Sequence, residues 1–159
     1  MPTEIVKECA RLIAEKKLTI AFAESATAGN LSYQFSLTPE SGEILKGGLV
    51  CYDANIKEDI LGIEPGFIEK YTPESAEVTR ELAQRLNRVI KRADIFVAVT
   101  GLTTPGGSEN PEKPVGTMFI HAVIKDRDFT VREVFSGSAE EIVTATVDRV
   151  ARLLIENIT

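Results

Sequence analysis

Residues Leu18 to Ala23 form a short, nearly unbroken apolar run, the pattern of a strand covered on both of its faces. A strand of that kind needs a layer above and a layer below, so it constrains the fold more than any other stretch of the chain. Its neighbours supply candidates for those layers. Upstream, Ile5, Val6, Cys9, Leu12 and Ile13 make one stripe of an amphipathic helix over residues 4 to 16, with Thr3 as a natural cap. Downstream, Leu31 and Phe35 lie four apart in a second helix expected from Thr27 to Leu37, with Pro39 soon after its end.

Gly47 and Gly48 introduce a strand at Leu49 to Tyr52, and Asp53 to Leu61 reads as a short helix stopped by Gly62. A long helix is expected from Pro73 to Lys91, capped by Thr72 and buried along Val78, Leu82, Leu86, Val89 and Ile90. Ile95 to Val99 is a second strongly apolar strand. Thr117 to Ile124 and Phe129 to Phe135 flank the polar residues Lys125 to Asp128, which is a hairpin pattern. A last helix, Ala139 to Ile158, carries Val143, Val147, Val150 and Leu154 on one face. Helices alternating with buried strands, followed by a hairpin, predict a three-layer α/β/α sandwich. Its sheet is mixed and mostly parallel, with about five strands, in one domain over residues 1–159.

Composition narrows the function. With 43% hydrophobic and 26% charged residues the chain is an ordinary globular sequence. A net charge of −6 argues against the broad basic surface that neutralises nucleic-acid phosphates. No apolar run is long enough to cross a bilayer, and the Met1 end lacks the segments of a secretory signal, so a cytoplasmic protein is expected, with neither nucleic acid nor membrane as partner. Apolar helices on a small α/β protein fit a homodimer or higher homo-oligomer. Cys9 and Cys51 allow at most one bridge. A zinc site would need both of them, His121 and a carboxylate to converge from distant segments, so no metal is expected.

Three segments follow or end a strand, where open α/β sheets form their ligand crevices. In the first, Ala23 to Asn30, Ser25 stands at a strand-to-helix turn where free backbone N–H groups can hold an oxyanion or a phosphate; taken alone, Ser25 or Thr27 reads as a helix cap. The second, Gly47 to Lys57, puts the Tyr52 phenol and the Lys57 amine just beyond a strand end. The third runs from Thr100 to Gly116 and is rich in glycine and proline, which suits close approach to a ligand. It has neither the Gly-Lys-Ser/Thr ending of a Walker loop nor a dinucleotide fingerprint. The only histidine, His121, lies inside an apolar strand pattern and reads as packed and hydrogen-bonded. If Ser25 is a nucleophile, Lys57 is therefore the favoured base, and its pKa must fall well below the usual value of about 10.4.

Together the segments resemble the C-terminal domain of the competence/damage-inducible CinA proteins and the stand-alone nicotinamide-nucleotide amidases. The family pattern resembles Ala-Glu-Ser-Cys-Thr-Gly-Gly, then Gly-Gly-Val-Val-Ala-Tyr with a lysine five after the tyrosine, then Val-Thr-Gly-Ile-Ala-Gly-Pro-Gly-Gly and Lys-Pro-Val-Gly-Thr. Here the matching stretches are Ala23 to Gly29, Gly47 to Tyr52 with Lys57, Val99 to Gly107, and Lys113 to Thr117. The resemblance implies deamidation of nicotinamide mononucleotide to nicotinic acid mononucleotide and ammonia, with no cofactor or metal. Carried over by position, Ser25 is the nucleophile, Lys57 its base and Tyr52 the supporting phenol. Glu24, Thr27, Gly29, Gly48, Thr100, Gly101, Pro105, Gly106 and Gly107 would bind the nucleotide and its oxyanion. Larger CinA proteins carry an N-terminal molybdopterin-binding-like domain, for which this length leaves no room.

The chain departs from that pattern at Ala26, Ala28, Thr103 and Thr104, and Gly137 to Glu141 lack the arginines that relatives often carry after the last strand. A catalytically reduced nucleotide-binding or protein-interaction module of the same fold is the alternative expectation.

Overall fold

The computed structural model describes residues 1–158. Strand β1 (Ile20–Glu24) is buried at all five positions, and its side chains divide strictly by parity. Ile20 and Phe22 enter one apolar cluster, whereas Ala21 and Ala23 enter another, as the alternation of a strand requires. Helices α1 (Glu4–Glu15), α2 (Asn30–Ser36) and α7 (Ala139–Asn157) cover the first face through Val6, Cys9, Ile13, Leu31, Phe35, Val147 and Val150. The short helix α3 (Ser41–Ile44) adds Ile44 to the same cluster. On the second face, α4 (Ala54–Leu61), α5 (Pro65–Tyr71) and α6 (Ala76–Arg85) contribute Leu61, Ile68, Val78 and Leu82. Each fully buried side chain of this size stabilises the fold by about 1.5–3 kcal/mol.

The sheet has the order β2-β1-β3-β4-β5, with β2 at Leu45–Val50, β3 at Ile95–Gly101, β4 at Thr117–Ile124 and β5 at Arg127–Val134. β1 pairs in parallel with β2 and β3, while β4 is antiparallel to both β3 and β5. Only β4 therefore opposes the common direction, and the sheet is mixed and mostly parallel within a three-layer α/β/α fold. No helix among the described residues is long and apolar enough to cross a membrane.

Several boundaries differ from the sequence expectation. The long helix from Pro73 is instead α6, which starts at Ala76 under a Ser75 cap and passes into a 3-10 turn at Leu86–Arg88. Thr72 cannot cap it, because its backbone sits at φ +69 and ψ 152. A separate helix, α5, precedes it, with Pro65 in the first turn. Likewise α2 begins at Asn30 and not at Thr27, because Ala28 (φ +49) and Gly29 (φ +99) both adopt left-handed backbone conformations.

The left-handed region is costly for alanine and free for glycine. Ala28→Gly is therefore expected to stabilise the protein by about 1 kcal/mol. In a chain of this size that is a rise in Tm of about 2–4 °C. Thermal melts would check it, and an unchanged or lower Tm would show that this turn holds no strain.

Candidate active site

Parallel pairing brings the three motif segments to one end of the sheet. Glu24 is level with Val50 on β2 and with Val99 on β3. The hydrogen bonding continues one residue further: Ser25 N–H donates to Val99 O at 3.0 Å, and Cys51 N–H donates to Glu24 O at 2.8 Å. Ser25, Tyr52 and Gly101 thus leave the carboxyl ends of three neighbouring strands, where this class of sheet opens its crevice.

The turn that carries Ser25 is fixed from beneath by Glu24. Its carboxylate is fully buried and accepts four hydrogen bonds: Thr27 Oγ1–H and Leu31 N–H reach Oε1 at 2.7 and 2.8 Å, while Ser32 N–H and Ser32 Oγ–H reach Oε2 at 2.9 and 2.7 Å. Two of those donors are first-turn amides of α2 that have no partner within the helix. Glu24 and Thr27 thus brace the turn that carries Ser25. Gly29 and Gly48 also meet demands of the backbone around that turn. Gly29 supplies the left-handed residue before α2, and a β-carbon at Gly48 would run into Ser32 Oγ, so both serve packing. Thr100 is sealed from solvent and shares a 2.8 Å hydrogen bond with Thr79 Oγ1, tying β3 to α6.

Lys57 lies at the fourth position of α4, whose first turn is capped by Asp53 accepting from Asn55 N–H. Its side chain turns inward and is 1% exposed. Nζ comes within 3.1 Å of Ser25 Oγ and donates to Tyr52 O at 3.3 Å. Among the described residues it forms no ion pair. Burial pushes its pKa below the usual 10.5, opposed by negative charge on Cys51, Glu74 and Asp53. The Cys51 thiol is itself pushed up to about 11 by burial, so it is neutral near pH 7 and its share of that opposition falls away. Tyr52 contributes its carbonyl to the amine. Its phenol, expected to support the base, belongs to a side chain that is 61% exposed at the cleft.

Above this pair opens a cleft of about 260 Å³, lined by Ser25, Ala26, Tyr52, Glu74 and the stretch Gly101 to Gly107. Gly101, Pro105, Gly106 and Gly107 are therefore cleft residues, together with Thr103 and Thr104. Gly101 admits no side chain, since a β-carbon there would run into Met118 Sδ and Thr117 O. The loop folds on itself, with Gly106 N–H donating to Glu109 Oε2 at 2.7 Å. Among the described residues, the N–H groups of Ala26 and Thr27, directly after Ser25, are not taken up by any hydrogen bond. Glu74 is the residue that sequence reasoning missed, and no motif or periodicity marks it.

His121 lies elsewhere, on β4. Nδ1 meets Thr130 Oγ1 at 2.7 Å and Nε2 meets Asp128 Oδ2 at 2.8 Å, so it is packed and hydrogen-bonded outside the cleft. Cys9 and Cys51 are free, buried and in separate clusters on opposite faces of the sheet.

The sequence model of the family described as "CinA C-terminal domain" matches residues 2–158. The CinA-like protein of Thermotoga neapolitana is 37% identical over 148 residues, covering 93% of this chain and 35% of that protein. A putative competence-damage inducible protein of Bacillus mycoides is 36% identical over 133 residues, covering 83% and 32%. The chain thus spans about a third of the length of these curated relatives. The crystal structure of a competence or damage-inducible protein from Enterobacter asburiae aligns with a TM-score of 0.90 at 27% identity, covering 98% of this chain and 97% of that one.

Proposed function

Because the chain belongs to the CinA C-terminal domain family, we propose that it is an amidohydrolase that converts nicotinamide mononucleotide to nicotinic acid mononucleotide and ammonia. The observation that carries this reading is the Lys57 amine, buried and without a counter-ion among the described residues, 3.1 Å from the Ser25 hydroxyl under an open cleft. Burying an unpaired amine is costly, and where it meets a potential nucleophile the neutral form has a chemical use.

In the proposed reaction, neutral Lys57 Nζ takes the proton of Ser25 Oγ as the oxygen attacks the carboxamide carbon. The N–H groups of Ala26 and Thr27 receive the oxyanion. Such preorganised donors act where charge develops in the transition state. The Lys57 ammonium then returns its proton to the departing nitrogen, and ammonia leaves an ester on Ser25. Water, deprotonated by the same amine, attacks the ester carbon, releases the carboxylate product and restores the hydroxyl. Thr103, Thr104 and the glycines at 106 and 107 border the space that the rest of the nucleotide would fill.

The test is ammonia release from nicotinamide mononucleotide as a function of pH. Only unprotonated Lys57 accepts the serine proton, so activity requires pH above its lowered pKa. kcat/KM is expected to climb about tenfold per pH unit on the acid side of that pKa and to level off above it. The plateau should be reached below the 10.5 of an ordinary lysine. A flat profile from about pH 5 to about pH 10 would remove Lys57 as the base.

A further inference from the structure

The charge lining the cleft is of one sign. Among the described residues that border it, Glu74 is the sole charged side chain, and Lys57 lies beneath the floor at 1% exposure. Glu74 is held from both sides. Its carbonyl accepts from Thr72 Oγ1–H at 3.0 Å and from Lys113 Nζ at 2.8 Å, and its Oε2 accepts from Ser108 Oγ–H at 2.5 Å. The other oxygen, Oε1, has no hydrogen-bond partner among the described residues and lies 3.7 Å from where a Gly107 β-carbon would stand. No Lys or Arg forms an ion pair with it there. An anchored carboxylate that forms no ion pair among the described residues, with Lys113 Nζ held at its backbone carbonyl, thus borders the same cleft as the exposed ring of Tyr52. Carboxylate and aromatic face are the two groups that attract a flat organic cation.

We propose that Glu74 is the specificity-determining residue of this cleft, selecting carboxamides whose ring is cationic, such as an N-substituted pyridinium, over those whose ring is neutral. The identity of the ring rests on the amidase reading, whereas the charge preference is a property of the cleft itself. Glu74 also borders an adjoining hollow of about 410 Å³ in which Lys70, Lys113 and Arg132 stand among the carboxylates of Glu77 and Glu112, so charged groups of both signs lie beyond it. The negative charge of Glu74 also reaches Lys57, where it favours the ammonium.

The probes are nicotinamide mononucleotide and its 1,4-dihydro form, which share the phosphate and differ in ring charge. Binding is measured by calorimetry in Ser25→Ala, which lacks the nucleophile. The oxidised, cationic form should bind at least about tenfold more tightly than the dihydro form, since one nearby opposite charge in a shielded site is worth that much. Adding Glu74→Gln, which keeps an oxygen for Ser108, should remove the preference. Adding Ser108→Ala, which keeps the charge and releases the anchor, should retain it. Equal binding of the two forms, binding of neither, or a preference that survives Glu74→Gln would overturn the proposal. So would loss of the preference in Ser108→Ala to the same extent, because Glu74 would then act by holding the loop.

In the chain with Ser25 intact, Glu74→Gln should move the rising limb of kcat/KM to lower pH, which a loss of loop anchoring alone would not do. Cation preference without any turnover by the intact protein would leave the inference standing and remove the amidase reading. Turnover indifferent to ring charge would do the reverse.

Discussion

Ser25→Ala and Lys57→Met are each expected to lower kcat for carboxamide hydrolysis by about 10³- to 10⁴-fold, and the double variant by little more. The near-equality follows from their acting as one unit: a hydroxyl without its base is a weak nucleophile, and a base without the hydroxyl has no proton to take. The two variants should part company in stability. Burial lowers the pKa of Lys57, so the unfolded chain takes up a proton below pH 10.5 that the folded chain refuses until its own lower pKa is passed. Stability present above pH 10.5 is therefore lost progressively as the pH falls through that window. Lys57→Met removes the titration while filling a similar volume, and it should raise Tm at neutral pH, with the gain vanishing toward alkaline pH. Ser25→Ala should leave Tm within a few degrees of the parent. Ammonia release paired with thermal melts on the same preparations checks both halves. Wild-type turnover in Lys57→Met would refute the role of the amine.

Gly116→Ala is expected to produce the largest loss of stability of any single methyl group added to the chain, about 3 kcal/mol or more. That corresponds to a fall in Tm of about 6–12 °C. Gly116 has φ +101, and a β-carbon there would run into the carbonyl oxygen of Phe135. The obstacle is backbone, so no side-chain rotation relieves it. Gly116 also closes the base of the loop that borders the cleft: its N–H donates to Leu102 O at 2.7 Å, and its own carbonyl accepts from Phe135 N–H at 2.9 Å. Displacing it would drag Leu102 and the cleft-bordering loop with it, so activity should fall along with Tm. A variant that melts within about 2 °C of the parent would show that the close approach is absent.

The sheet and the meeting of Ser25 with Lys57 were legible in the sequence because each rests on a local pattern. β1 and β3 announce themselves as apolar runs, and the parity of a strand decides which side chains reach which face. Ser25 and Lys57 follow strand ends, and parallel pairing brings such ends together. What escaped depends on choices that the sequence leaves degenerate. Thr72-Pro73 and Ser75 both resemble helix starts. Which one caps α6 is decided by the backbone of Thr72, whose hydroxyl turns to Glu74 O while Ser75 Oγ accepts from Val78 N–H. The α5 signal, Pro65 with Phe67, Ile68 and Tyr71, was too short to register as a periodicity. The resemblance implies a ligand contact at Glu24, and the four donors from α2 and its approach that its carboxylate takes up become visible only in the fold. The sequence identified Tyr52 by its side chain, whereas it is the carbonyl that meets the amine. Glu74 joins the cleft only through the fold, since it is contributed by a connection between helices that no motif flags.

The amine of Lys57 rests against two uncharged oxygens, and under the proposed mechanism that arrangement sets activity and heat tolerance at odds. A library of variants sorted for resistance to boiling alone would enrich for sequences in which this position has become hydrocarbon, and the survivors would be robust and inert. Improving durability without that outcome means working at positions remote from α4, where a better turn or a fuller core leaves the proton acceptor in place.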